Sequence, residues 1–191
     1  MEDSGNELAP EPINSEADEL KLIQAARLEP GAFGEIYKLY VERVYKYLYS
    51  RVGNMAEAED LTAQTFLAAF EAFGKFRQEG HFASWLFTIA RNKAMDHYRQ
   101  RKNTTILDEA RDFAAETDPT NVLIRSEQTA DLAKLIQALT EEERELLRLR
   151  FLAEMSFPEI SRLLHRNEEA VKKSLYRLLA RLHSQLEVSN D

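Results

Sequence analysis

The chain has no cysteine. That excludes disulfide scaffolds, cysteine zinc sites and thiol chemistry, and it fits a reducing cytoplasm. Basic residues are missing from its start: residues 1–19 carry seven acids and no Lys or Arg. A secretory signal needs a basic beginning and an apolar run, so none is expected. No apolar stretch approaches the ~20 residues that span a bilayer, so membrane insertion is not expected either. Strand-like alternation, internal repeats and long low-complexity runs are also lacking. There is no GxxxxGK[ST] phosphate loop and no GxSxG elbow. The four histidines, His81, His97, His165 and His183, are scattered without metal-ligand spacing. No catalytic residue, metal or cofactor is therefore expected, and the chain reads as a non-enzyme.

What is present is helix. Apolar residues make up 44% of 191, enough for a core and for one or two compact units. The net charge of −8 is unevenly spread. Residues 1–19 hold −7 and residues 104–131 hold −5, so the remainder is +4. Acid concentrated in a tail and a connector leaves the rest free to meet a polyanion.

Residues 1–17, with Pro10 and Pro12 among Ser, Asn, Glu and Asp, read as a disordered acidic tail. From residue 18 to 102 the pattern is helical. Phe33, Ile36, Tyr37, Tyr40, Val44, Leu48 and Val52 recur at steps of three and four. Gly53 ends that helix, and Asn54 with Glu57 forms a capping box for the next. The second helix carries Ala58, Leu61, Phe66, Phe70 and Phe73. After a polar loop from Gly74 to Gly80, a third helix has Phe82, Trp85, Leu86 and Ile89 and then a basic end. Residues 103–125 have little periodicity and much Thr, Asp and Glu, and read as a flexible acidic linker. Residues 126–187 return to helical spacing. Thr140 with Glu143 and Ser156 with Glu159 form two further capping boxes, and Pro158 sits in a first turn. Asn167 caps the last helix, where Val171, Leu175, Leu178, Leu182 and Leu186 line one side. The fold class expected is all-α: two helical domains joined by an acidic linker.

Two segments carry chemistry. A short helix over 156–164, a three-residue turn and a longer helix make a helix-turn-helix. Its second helix would enter a major groove and present Lys172, Lys173, Tyr176 and Arg177 to base edges. Arg166 and Asn167 stand at its start, where backbone N–H groups favour phosphate. An ordinary hairpin with a solvated basic face is the plainer reading, and Glu168 and Glu169 favour it. Tyr176 is placed either against DNA or in the domain core. The second segment is the end of the third helix, where Arg91, Lys93, Arg99, Arg101 and Lys102 outweigh Asp96. Basic groups beside aromatic ones suit single-stranded or distorted DNA, where bases can stack. Trp85 itself is expected in the core.

Together these residues resemble a family. AEDLTAQTF (58–66) and FASWLFTIARNKAMDHYRQR (82–101) resemble domain two of the extracytoplasmic-function (ECF) sigma factors. Residues 143–182, from ERELLRLRFLAEMSFPEI to VKKSLYRLLARL, resemble their domain four. The likeness covers residues 20–102 and 128–186, with both blocks in family order. It implies a cytoplasmic subunit that binds core RNA polymerase, recognises the −35 and −10 promoter elements and promotes initiation. Ala58, Glu59, Asp60, Leu61, Gln64 and Phe66 match the block that docks on the polymerase clamp coiled coil; caps and core are the plainer reading of them, and Leu61 and Phe66 are expected in the core in either case. Arg77, Gln78, His81, Phe82, Asn92, Asp96 and Arg99 match positions that capture the −10 element. Domain four would read −35 DNA and touch the polymerase flap. An anti-sigma factor is a further partner the resemblance allows, and the linker would thread the RNA path or serve as a plain tether. The sequence also departs from the family pattern. Gly in the LGxS turn is replaced by His165, V-K-S-R-L becomes Val171 to Leu175 with Lys173 and Ser174, and Gln-Glu becomes Ala63 and Gln64. A free-standing helix-turn-helix regulator and a sigma-like interaction or decoy protein are the competing readings.

Overall fold

A computed structural model describes residues 16–77, 81–105 and 134–189. The expected acidic tail, the loop residue Gln78 and most of the expected linker lie outside them. Among the described residues every regular element is helical. The first unit comprises α1 (Glu16–Leu28), α2 (Phe33–Val52), α3 (Met55–Ala72) and α4 (Phe82–Thr105). The second comprises α5 (Glu141–Leu147), a π-helical turn (Arg148–Leu152), α6 (Phe157–Leu164) and α7 (Glu168–Ser189).

The boundaries follow from local chemistry. Gly53 closes α2 in the left-handed region at φ 71, and its N–H donates to Tyr49 O at 2.8 Å. Asn54 then caps α3 by accepting from the Glu57 N–H at 3.0 Å. The expected box is only half made there. The Glu57 carboxylate faces α4, 3.0 Å from His97 Nε2 and 3.2 Å from Arg101 Nη1, because two cationic or hydrogen-bonding groups outbid one backbone donor. The other two boxes close. Thr140 Oγ1 accepts from Glu143 N–H while Glu143 Oε2 accepts from Thr140 N–H, and Glu159 Oε2 accepts from both the Ser156 N–H and hydroxyl. His165 occupies the left-handed region at φ 53, ψ 42, where the family pattern has glycine.

Buried residues of both units form one apolar cluster, from Ile36, Tyr47 and Phe87 of the first to Leu149, Met155 and Ile160 of the second. Small residues on α4 make this possible: Ala83, Ser84, Ala90 and Ala94 are all buried. They let α6 approach closely enough for Ser84 Oγ to donate to Glu159 O at 3.0 Å. Arg43 crosses the same boundary, donating from Nε to Ala153 O at 2.8 Å while its guanidinium lies 4.7 Å from the Tyr40 ring. Each fully buried large side chain here contributes roughly 1.5–3 kcal/mol, so the shared cluster is a real part of the stability.

His165→Gly removes the steric cost of a side chain in the left-handed region. It is expected to stabilise the fold by about 1 kcal/mol. Urea unfolding followed by circular dichroism checks this: the midpoint should rise with an unchanged m-value.

Candidate nucleic-acid interface

The α6–α7 pair makes a helix-turn-helix held at its turn by three bonds. Arg166 N–H donates to Ser161 O at 3.0 Å, Ser161 Oγ donates to Arg166 O at 2.7 Å, and Asn167 Oδ1 accepts from Glu169 N–H at 2.9 Å. Asn167 is therefore a cap, with its side-chain oxygen committed to the backbone. Arg166 also turns inward, its Nη2 donating to Ser174 Oγ at 2.9 Å. On α7, Val171, Leu175, Leu178 and Leu182 are buried, which leaves Lys173, Tyr176 and Arg177 together on the exposed face. Tyr176 is 60% exposed, so it lies on the surface and not in the domain core. Its ring leans on Phe157 at 6.0 Å. Lys172 differs from its neighbours. Its Nζ is 2.8 Å from Glu168 and 3.6 Å from Glu169, and it stands 5.7 Å from the Phe157 ring. The Glu168 hydrogen bond raises its pKa above the usual lysine range.

On α4, Asn92, Asp96 and Arg99 fall at i, i+4 and i+7 and share an exposed stripe. Arg99 Nη1 is 3.4 Å from Asp96 Oδ1, a solvent-exposed pair of little energetic weight. Arg77 is exposed and His81 half-buried. Phe82 does not join them: it is 0% exposed, packed 5.5 Å from Phe76 and 5.4 Å from Trp85. Its expected place at the opening element is corrected to the core, because the first turn of α4 closes the aromatic cluster below it. Beside the loop lies an open cleft of about 500 Å³ whose walls include Phe33, Phe70, Phe73 and Phe76 with Arg27 and Arg77. Aromatic walls flanked by guanidinium groups suit an unstacked base and its phosphate. Arg27, which donates to Phe76 O at 2.8 Å, was not legible in the sequence because nothing in its spacing ties it to the loop.

The docking block splits in the same way. Glu59 and Asp60 are exposed, and Gln64 Nε2 donates to Asp60 Oδ2 at 2.7 Å. Ala58, Leu61 and Phe66 are buried: Leu61 and Phe66 lie in the core as expected, and Ala58 is corrected from the docking face to packing beneath the helix. The apolar place on the face is taken by Leu67, which the sequence did not single out: it is 59% exposed, and Asp60, Gln64 and Leu67 fall at i, i+4 and i+7. Phe70, expected on the apolar stripe, is 49% exposed beside the cleft. The available signal was that Leu67 lies off the stripe formed by Ala58, Leu61, Thr65 and Ala69.

A fourth feature carries no local signal in the sequence: Glu145 on α5 is 5% exposed. Its Oε1 accepts from Tyr47 Oη at 2.8 Å and its Oε2 pairs with Arg51 Nη1 at 3.0 Å. Arg91 Nε stands 3.6 Å and Arg148 Nη1 3.8 Å away. Burial, reinforced by the charge of Glu145, pushes the Tyr47 phenol well above its usual range. Among the described residues no cluster of three or more His, Asp or Glu could hold a metal ion, and no helix is long and apolar enough to cross a membrane.

Comparison with known proteins shows the family. The family model for Sigma-70 region 2 matches residues 36–104, and that for Sigma-70, region 4 matches residues 129–182. The chain is 36% identical over 168 residues to the ECF RNA polymerase sigma factor BldN of Streptomyces coelicolor, covering 85% of this chain. It spans 64% of BldN's length. It is 30% identical over 149 residues to the ECF RNA polymerase sigma factor SigM of Bacillus subtilis, covering 78% of this chain and 91% of SigM. Among solved structures, CnrH in complex with the cytosolic domain of CnrY matches at TM-score 0.65 and 24% identity, over 88% of this chain and 97% of that one. RpoE of Bartonella quintana, in complex with the anti-sigma factor NepR, matches at TM-score 0.61 and 20% identity, over 82% and 97%. These two likenesses bear on the fold.

The α7 face ranks its own cations. Lys173→Ala and Arg177→Ala should each lower the slope of log affinity against log salt for duplex DNA by about one unit. Lys172→Ala should change it by less, since Glu168 already neutralises that ammonium. Fluorescence anisotropy across a potassium chloride series measures the three slopes.

Proposed function

This chain belongs to the ECF RNA polymerase sigma factors, and on that basis we propose how its exposed faces divide the work of initiation. Core polymerase and promoter DNA are its partners, with an anti-sigma factor, of the kind seen with RpoE, as a further one. A free-standing helix-turn-helix regulator would leave the region 2 match over residues 36–104 without a role. The contribution is binding and strand separation, and we assign no catalytic residue.

The observation that carries the proposal is that three exposed faces, on α3, α4 and α7, lie outside the shared core. The α3 face pairs acid with apolar surface: Glu59 and Asp60 on the same helix as exposed Leu67. Carboxylates attract the clamp coiled coil in a salt-dependent way, and desolvated apolar groups supply most of the holding energy. The α7 face, with Lys173, Tyr176 and Arg177, enters the major groove of the −35 element. Each good base-edge contact there is worth ~1–3 kcal/mol. The α4 stripe of Asn92, Asp96 and Arg99, with Arg77 and the aromatic cleft, meets the −10 element as its strands part. Asp96 is a hydrogen-bond acceptor there, suited to exocyclic amino groups of exposed bases.

Two experiments test the assignment. Glu59→Lys combined with Asp60→Lys should weaken co-purification with core polymerase at least tenfold while helical circular dichroism is unchanged. Unchanged affinity would refute the α3 docking face. Lys173→Ala with Arg177→Ala should reduce closed-complex binding in a band-shift assay. Asn92→Ala with Arg99→Ala should instead reduce permanganate reactivity of unpaired thymines while closed-complex binding is largely kept. Equal loss of binding and opening in both pairs would refute the division between the two DNA faces.

A further inference from the structure

Three contacts share one helical face of α4 at the seam between the two units. Ser84 donates to Glu159 O and Arg91 faces Glu145, both across the seam, while Tyr98 Oη donates to Arg51 O within the first unit. Positions 84, 91 and 98 are seven apart, so they repeat every two turns and line a single stripe. Arg51, from the end of α2, joins Arg91 there. The carboxylates that pair with these two arginines belong to α5 of the other unit: Glu145 with both, and Glu141 with Arg51 at 3.4 Å. Arg51 is thus nearly enclosed, while Arg91 is held poorly. Its Nε is buried without a hydrogen bond among the described residues, and its nearest carboxylate oxygen is 3.6 Å away.

We propose that Arg51 and Arg91 form a binding site for the phosphodiester backbone of DNA, which Glu145 covers while the two units are packed together. The inference rests on the sigma-factor reading for its ligand, and it adds two residues to the promoter surface that the family blocks did not mark. Two guanidinium groups and the Tyr47 hydroxyl converge on one seat, a donor set suited to an anionic oxygen pair. Glu145 fills that seat as a phosphate would. The stripe bearing Arg91 lies about 100° around α4 from the Asn92–Asp96–Arg99 stripe, so a strand engaged at the latter has backbone passing beside Arg91. A cleft of about 280 Å³, lined by Arg51, Arg91, Glu141, Glu145 and Arg166 among others, opens the seam to solvent and to competing ions. Because the same guanidinium groups cannot hold α5 and DNA at once, separation of the units and backbone binding are thermodynamically linked.

The test uses the full-length chain and a short nonspecific DNA duplex, with anisotropy read across a potassium chloride series. Glu145→Gln should tighten binding at low salt and steepen the salt slope by about two units, one for each unmasked arginine. Glu145→Gln combined with Arg51→Gln and Arg91→Gln should return the slope to that of the unaltered chain. Glu35→Gln, which removes the same charge from an exposed pair with Lys38, should leave it unchanged. An unaltered slope in E145Q, a steep slope kept in the triple variant, or an equal effect of E35Q would each overturn the proposal. If E145Q lost its helical circular dichroism, the double variant R51Q/R91Q decides instead. It should leave the free chain's slope as it is and lower the holoenzyme's slope on promoter DNA by about two units, and a lowered slope in the free chain overturns the masking. Run-off transcription by core polymerase with the unaltered chain separates the two readings. No initiation refutes the sigma assignment, while the anisotropy series still decides whether the arginines are masked.

Discussion

A carboxylate taken out of water costs several kcal/mol unless its surroundings replace every interaction that water provided. Glu145 meets that demand with Tyr47 and Arg51 from the first unit and Arg148 from the π-helical turn that follows its own helix. The apolar residues around the seam would pack in more than one orientation, since hydrophobic contact is not directional. The ionic group admits one. The arrangement of two units over a common core therefore depends on a polar interaction whose net contribution to stability is small and whose geometric demand is strict. Salt and competing anions act on it far more than on the apolar contacts around it.

That dependence gives the α4 helix its organisation. One face carries Ala83, Ala90 and Ala94 into the core, a second carries Ser84 and Arg91 to the other unit, and a third leaves Asn92, Asp96 and Arg99 in solvent. A helix repeating every 3.6 residues can keep three such stripes apart only if each is narrow. The small side chains on the core face meet this requirement, since they let neighbouring helices come close without wide flanking groups. The same helix can thus hold a fold together, bind a neighbouring unit and present polar groups outward.

The sequence was most informative where a local rule decides the outcome. The Thr140 and Ser156 boxes, the Asn54 and Asn167 caps and the left-handed turn at His165 each depend on residues within a few positions of one another. Apolar periodicity located α2, α3, α4 and α7 for the same reason. What periodicity did not resolve was which apolar residues of a helix remain outside. Phe82 and Leu67 both sit in apolar runs, but one is enclosed by rings from three other segments and the other faces solvent. The diversion of Glu57 from its own cap to His97 and Arg101, and the burial of Glu145, depend on partners at least 40 residues away. Nothing in the composition around Glu145 distinguishes it from Glu142 or Glu143.

The π-helical turn at Arg148–Leu152 has a consequence for how the second unit is phased. An α-helix advances about 100° per residue, so one additional residue rotates everything beyond it by more than a quarter turn. The wider turn absorbs that residue locally, with Ala153 N–H reaching back five positions to Arg148 O at 2.9 Å. Leu149 stays buried within it and Met155 stays buried behind it, while Phe151 is left outside. The turn therefore acts as a register correction within its own segment: it turns Leu149 and Met155 toward the core and leaves Phe151 outside, and Glu154 at φ 53 ends the helical phase ahead of α6.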